Sequence, residues 1–273
     1  MRGFLVFLLA LAMGAALFAC DPTPSPTNPP SPDVEPGGTT PGPDPEPEPD
    51  PEPEPEAEPE PVTWPHEPSG ALYPGSGSGS TDPTLWAAGM RFPIEVAPAF
   101  ANSQVYGYGG GQPPGPGGQC DSRNYSYPWR DNFCETRSAS NGMCPASRGH
   151  QGQDIRPSTC QDSTHWVVAA EDGVVTSIGS YSVFIQGTSG RIYRYLHMDM
   201  PHVRSILAEG QHVTRGQRIG KVSNDFGGTP TTIHLHFEIK APVTRDGSTA
   251  IIFVPTYTSL VDSYGRLLNG QES

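Results

Sequence analysis

The sequence predicts an all-β domain built on an antiparallel sheet in the C-terminal half of the chain. After His150 there are short runs of strand-forming residues, separated by turn signals such as Glu-Asp-Gly and Thr-Ser-Gly. Only the C-terminus departs from this pattern, because apolar residues at i, i+4, i+7 and i+8 behind Thr258 or Ser259 predict one short amphipathic helix. The predicted strands are 166–170, 173–178, 182–186, 192–196, 218–222 and 233–239.

The N-terminal part of the chain has the composition of a tether. The 273 residues include 33 Pro and 32 Gly, and Glu alternates with Pro from Pro45 to Pro61, a pattern that favours extended polyproline II geometry. Residues 21–83 are therefore predicted to be disordered, rich first in Pro and Glu and then in Gly and Ser. The first forty residues of this predicted tether could extend over roughly 100 Å, at about 3 Å per residue.

The acidic charge of the chain is concentrated in this tether. The formal net charge is -13, and residues 21–60 carry twelve Asp or Glu and no Lys or Arg. Residues 61–273 contain 15 basic and 17 acidic residues. The predicted folded part therefore offers no basic field for nucleic acid, and we expect no nucleic-acid partner.

Residues 1–20 have the features of an export signal. Arg2 precedes an apolar run that ends in Leu17-Phe18-Ala19-Cys20, which resembles the lipobox of bacterial lipoproteins. The resemblance implies a lipid on Cys20 and a membrane-anchored protein of the cell envelope, in the periplasm or on the outer-membrane face. The alternative is an ordinary signal peptide that is cleaved after Ala19.

Residues 84–149 show neither helical nor strand periodicity and are predicted to be an irregular segment pinned by disulfides. The remaining cysteines, an even number in an exported chain, favour two disulfides whose pairing stays open. A thiolate zinc site is the alternative, but it needs a reducing compartment and closer paired spacing. The aromatic residues of this segment either line a groove or fill a core. The four cysteines are Cys120, Cys134, Cys144 and Cys160.

Two histidine-containing patterns have the chemistry of a metal site. Residues 233–239 alternate so that His234 and His236 lie on one face of a strand, about 6.5 Å apart. His150 and Asp154 lie in a glycine-containing loop that leads into another strand. Two imidazoles and one carboxylate form a catalytic zinc set, because three protein ligands leave a fourth position open.

Five stretches of residues 150–240, in this order along the chain, resemble the lysostaphin and LytM-type zinc endopeptidases, which cleave peptidoglycan peptides. The first is the His-x-Gly-x-Asp pattern, and the last is the His-x-His strand. The three between them are a turn with the sequence Glu-Asp-Gly-Val, a Tyr-Leu-His-Met stretch and a segment that begins with Glu-Gly-Gln. The stretches are 150–154, 169–175, 195–198, 209–220 and 234–239.

The resemblance implies a half-barrel catalytic domain over residues 150–273 that binds one Zn²⁺ through His150, Asp154 and His236. It further implies that His234 is the general base and that His197 orients water or stabilises the tetrahedral intermediate. The expected substrates are stem or cross-bridge peptides of peptidoglycan, and the expected state is a monomer.

Two other functions fit parts of the sequence. A catalytically silent relative would bind peptidoglycan and activate other hydrolases, but such proteins lose metal ligands, and all five polar residues are present here. A secreted peptidase that acts on other bacteria or on Gly-rich proteins would not need Cys20. The sequence also departs from the family between residues 155 and 168, where a longer loop contains Cys160 and suggests a disulfide to the irregular segment.

Overall fold

The structure is a computed structural model that describes residue 42 and residues 60–108 and 118–272. The predicted signal peptide, with Cys20, and most of the predicted tether lie outside the described residues. Within the described ranges, no helix combines the length and the apolar character needed to cross a bilayer.

The described residues contain ten β-strands, and every pairing between them is antiparallel. They are β1 (Phe100–Ala101), β2 (Gln153–Arg156), β3 (Trp166–Val168), β4 (Gly173–Ile178), β5 (Ser182–Gly187), β6 (Ile192–Leu196), β7 (His212–Val213), β8 (Arg218–Lys221), β9 (Leu235–Arg245) and β10 (Ser248–Val254). The main sheet has the order β1-β2-β9-β6-β5-β4-β7, with β10 also paired to β9, and β3 pairs with β8. The predicted all-β antiparallel fold is confirmed.

Strands β4 and β6 have the predicted bounds, whereas β9 is longer than predicted. It continues to Arg245 and turns back into β10 through Asp246 and Gly247, whose φ angles are 50° and 77°. Positive φ at both central residues is the geometry of a tight hairpin, for which Asp-Gly is the preferred sequence. The prediction missed β10 because most of its side chains are exposed and show no alternation in burial.

The part of the chain that the structure describes also contains two α-helices and a short 3-10 helix at Ser122–Tyr125. The first, α1 (Met200–Ile206), was not predicted; the side chain of Asp199 caps it by accepting a hydrogen bond from the His202 N–H at 3.1 Å. The second, α2 (Tyr257–Leu268), confirms the predicted C-terminal helix. Its apolar face is buried, and Tyr264 lies fully inside the core.

The irregular segment before His150 contributes to the core. Trp129 is fully buried, its ring lies 4.3 Å from that of Tyr264, and its indole N–H donates to the Ala99 carbonyl at 2.8 Å. Trp64 packs edge-on against Tyr264, with ring centroids 5.0 Å apart. Trp64 belongs to the stretch that the composition assigned to the tether, so the packed part of the chain begins within that stretch.

The two predicted disulfides are confirmed, and the structure defines their pairing. Cys120 pairs with Cys160 across 40 residues, which ties the irregular segment to the long loop between β2 and β3. Cys134 pairs with Cys144 and closes a ten-residue loop. The Cys134 N–H donates to the His150 carbonyl at 3.0 Å, so this loop lies directly against the predicted metal ligands.

Candidate metal centre

Three neighbouring strands of the main sheet, β2, β9 and β6, bring the predicted site residues together. Asp154 on β2 is the register partner of His236 on β9. On the other side, His236 pairs with Leu196, the last residue of β6, and His197 follows it. Directly opposed residues in antiparallel strands have adjacent side chains on one face, so strand register alone places Asp154 beside His236.

A close backbone approach explains the glycine in the His-x-Gly-x-Asp pattern. A Cβ atom on Gly152 would lie 2.2 Å from the carbonyl oxygen of Phe237, a distance that no side chain can occupy. The loop can therefore cross over β9 only with glycine at this position. This crossing brings His150 to within hydrogen-bonding range of Asp154.

The other two histidines lie just outside the strands. His234 precedes β9, which begins at Leu235, two residues later than the predicted strand 233–239. His197 has a φ of 63°, and this left-handed turn at the end of β6 is held by a hydrogen bond from its N–H to the Tyr181 carbonyl at 2.9 Å. The two rings lie 4.6 Å apart.

The three predicted metal ligands form a compact buried cluster. Asp154 Oδ1 lies 3.3 Å from His150 Nε2 and 2.9 Å from His236 Nδ1. All three potential ligand atoms lie within 4.8 Å of one another. Tetrahedral zinc, with bonds of about 2.0–2.1 Å, separates its ligand atoms by about 3.3 Å. The residues present therefore fit a zinc ion.

Hydrogen bonds on the outer side of each ring leave one nitrogen of each ligand available. His150 Nδ1 lies 3.0 Å from the Asn132 carbonyl, which can only accept, so Nδ1 carries the proton and Nε2 has the lone pair. His236 Nε2 lies 2.8 Å from Glu238 Oε1, which leaves Nδ1 facing Asp154. Partners of this kind orient metal-ligating imidazoles.

The second pair of histidines is oriented in the same way. His234 Nδ1 lies 2.8 Å from the Thr232 carbonyl, and His197 Nδ1 lies 2.9 Å from the Asp225 carbonyl. Each ring therefore donates from Nδ1, and the neutral form of each ring has its lone pair on Nε2. Because His234 Nε2 lies 3.4 Å from Asp154 Oδ1, this lone pair reaches the edge of the ligand cluster.

The surroundings of the site shift the pKa values of four of its titratable groups in different directions. Burial lowers the pKa of His150 and lowers that of His197 strongly. For His236 burial also disfavours the charged ring, but the carboxylates of Asp154 and Glu238 outweigh burial and raise its pKa to about 9. Burial raises the pKa of Asp154, yet the neighbouring histidines hold it well below its usual range. The cluster therefore presents a carboxylate and neutral imidazoles, apart from His236.

The cluster opens into a groove with a volume of about 370 Å³. One wall comes from residues 137–139 of the irregular segment, and the other contains Tyr181 and the exposed ring of Phe226. The three predicted ligands and the two other predicted histidines all line this groove. The structure therefore brings the five predicted residues together. They are His150, Asp154, His197, His234 and His236.

Sequence reasoning missed the groups that orient these side chains. Glu238 bonds to His236 and to Arg194 Nη1, at 3.1 Å, and its position two residues after His236 on the same strand face could have identified it. Asn132 contacts both His150 and Asp154. It lies far upstream in an irregular segment, where no periodicity indicates proximity.

Residues 148–248 match the model of Peptidase family M23. No curated protein matches the sequence. Among solved structures, the chain is similar to a Ruminococcus gnavus ATCC 29149 protein named as a glycyl-glycine endopeptidase, LytM, at 20% identity over 66% of this chain and 62% of that one, with a TM-score of 0.42. It is also similar to a zinc-containing peptidase from Vibrio cholerae, at 30% identity over 33% of this chain and 26% of that one, with a TM-score of 0.28.

A further similarity is to the catalytic domain of the antimicrobial peptidase lysostaphin from Staphylococcus simulans, at 17% identity over 47% of this chain and 90% of that domain, with a TM-score of 0.32. The chain thus spans about three fifths of the Ruminococcus gnavus protein and about a quarter of the Vibrio cholerae protein.

The antiparallel sheet holds the buried His-Asp-His cluster in an open groove, an arrangement that could bind a metal ion. Residues 148–248, which contain all five predicted site residues, are the part of the chain that matches the M23 model. This match agrees with the resemblance to LytM-type peptidases that the sequence predicted.

Proposed function

We propose that the protein is a zinc-dependent endopeptidase that hydrolyses peptide cross-links of peptidoglycan. The observation that carries this proposal is the cluster of His150, Asp154 and His236, which is buried, has its imidazole tautomers set by outer hydrogen bonds, and opens into a groove. Three protein ligands with access for substrate are typical of catalytic rather than structural zinc. The peptidoglycan substrate follows from the resemblance to the lysostaphin and LytM-type endopeptidases.

When bound, zinc supplies a Lewis acid that polarises the scissile carbonyl and makes water more acidic. The Nε2 lone pair of His234 is placed to take the proton from the attacking water, since its Nδ1–H is committed to the Thr232 carbonyl. His197 is kept neutral by burial, with Nδ1–H on the Asp225 carbonyl. Its Nε2 can therefore accept a hydrogen bond and orient water, which favours the first of its two predicted roles.

A direct test combines metal content with substrate hydrolysis. The purified protein is expected to contain one zinc per chain and to release peptides from purified sacculi, with loss of activity after chelation and recovery with added zinc. Zinc without peptide release would support the silent regulatory relative instead. A protein without stoichiometric metal would contradict the proposal.

Metal binding is expected to release a proton from His236. The ring lies between two carboxylates, and its raised pKa of about 9 means that it carries two N–H groups near neutral pH. The Nδ1 proton must leave before a metal can bind, so we expect about one proton released per zinc at pH 7.5, and an affinity that rises with pH up to about pH 9. Calorimetric titration in two buffers of different ionisation enthalpy measures this number. A value near zero would show that His236 is already neutral.

We further propose that the protein is a lipoprotein of the cell envelope, anchored through Cys20. The apolar run and the Leu-Phe-Ala-Cys ending support this proposal. Incorporation of a labelled fatty acid that is lost in Cys20→Ser would support an anchored protein that acts on its own cell wall. An unlabelled protein in the medium would support the secreted alternative.

A further inference from the structure

One residue outside the M23-matched stretch contacts two of the three metal ligands. Asn132 is 1% exposed and lies in the irregular segment, ahead of residues 148–248. Its side-chain amide donates to Asp154 Oδ2 at 2.8 Å, and its side-chain oxygen accepts from the Asp154 N–H at 3.1 Å. Its main-chain carbonyl lies 3.0 Å from His150 Nδ1.

These contacts give the two carboxylate oxygens of Asp154 different partners. Oδ1 faces His150 and His236, at 3.3 and 2.9 Å. Oδ2 is held by the Asn132 amide. An oxygen that accepts a buried hydrogen bond is less available to a metal, so this arrangement presents Asp154 as a ligand through one oxygen only.

Asn132 is itself fixed by the residues around it. Its N–H donates to Gln153 Oε1 at 3.1 Å. Nearby, the His150 N–H donates to the Glu135 carbonyl at 2.9 Å, and the Asn141 side chain donates to the His150 carbonyl at 3.1 Å. The Cys134–Cys144 disulfide closes the loop that contains Asn141. Several hydrogen bonds and a disulfide therefore hold the irregular segment in place beside His150 and Asp154.

We propose that Asn132 is a positioning residue of the metal centre, which sets the orientation and single-oxygen coordination of Asp154. This inference rests on the proposed function, because it assumes that a metal binds between His150, Asp154 and His236. It makes the irregular N-terminal segment an integral part of the peptidase site. Residues around metal ligands typically change metal affinity 10–100-fold when they are replaced.

The test is the zinc affinity of Asn132→Ala, measured by competition with a chromophoric chelator. The substitution removes both side-chain contacts to Asp154 and keeps the main-chain carbonyl that faces His150, so we expect affinity to fall about 10–100-fold. With Co²⁺ in place of zinc, the visible absorption should weaken as a freed carboxylate raises the coordination number. Asn124→Ala is the matched control, because Asn124 is also buried and its amide donates to the carbonyls of Tyr108, Gly118 and Gln119, not to a residue of the cluster.

A second variant keeps the experiment decisive if Asn132→Ala does not fold. Asn132→Asp has the same shape and can still accept from the Asp154 N–H, but it replaces the amide donor with a second carboxylate. It should also bind zinc more weakly than the wild type. Wild-type affinity and Co²⁺ spectrum in a folded Asn132 variant would overturn the inference alone. A wild-type protein that binds no zinc would instead overturn the proposed function.

Discussion

Replacing His236 with alanine is expected to remove the metal and all measurable peptide release. In the proposed site His236 offers a ligand atom 2.9 Å from Asp154 Oδ1, and a cluster reduced to one imidazole and one carboxylate is not expected to retain zinc through dialysis. We expect metal content to fall from about one per chain to background, and the rate on sacculi to fall by at least ~10³-fold. Elemental analysis and peptide release measure the two effects.

This variant also leaves two buried carboxylates without their shared imidazole. Asp154 and Glu238 are each 2% exposed, so the metal-free variant should lose about 1–3 kcal/mol of stability. Thermal unfolding followed by circular dichroism shows whether it is folded, and His150→Ala offers a second ligand variant. The control is His212→Ala, since His212 is an exposed histidine on β7. One retained zinc in folded His236→Ala would refute the ligand assignment.

Replacing His234 with alanine is expected to separate catalysis from metal binding. The ring is not needed to complete the His-Asp-His cluster, but its Nε2 lies at the edge of that cluster, 3.4 Å from Asp154 Oδ1. Loss of a general base typically costs 10²–10⁴-fold in rate, which corresponds to about 2.7–5.4 kcal/mol in activation free energy. We therefore expect kcat to fall by this factor with zinc content unchanged.

Steady-state kinetics on a soluble cross-link peptide, together with metal analysis, distinguish the outcomes. A fall in kcat with little change in KM identifies a group that acts in the transition state. Near-normal turnover on sacculi would contradict the role of general base. Loss of zinc would instead make His234 a metal ligand. His197→Ala is a useful comparison, because the loss of a water-orienting residue should lower kcat less than the loss of the general base.

The sequence predicted the residues that come together in the candidate site, but not the groups that orient them. Alternation in the His-x-His stretch and its resemblance to a family identified His234 and His236, since these residues lie close together in the chain. Local patterns also identified β4, β6 and the C-terminal helix, whose periodicity reflects burial on one face.

Features that depend on long-range contacts could not be predicted in this way. Asn132 reaches Asp154 only because the irregular segment folds back over β2, and its sequence has no period that would indicate this path. The buried position of Trp129 is of the same kind. By contrast, the hairpin at Asp246 and Gly247 has a local signal in its Asp-Gly pair, although the exposed strand β10 that follows it has no alternating pattern.

The metal-binding cluster can form only when β2 and β9 pair in the native register. Side chains alternate between faces, so a slip of one residue would set Leu235 or Phe237 opposite Asp154 and turn His236 toward the other side of the sheet. A misaligned sheet would have no ion-binding cluster. An ion that binds only the correctly aligned form stabilises that form by mass action. Available metal would therefore favour molecules with the native register over those with a shifted register.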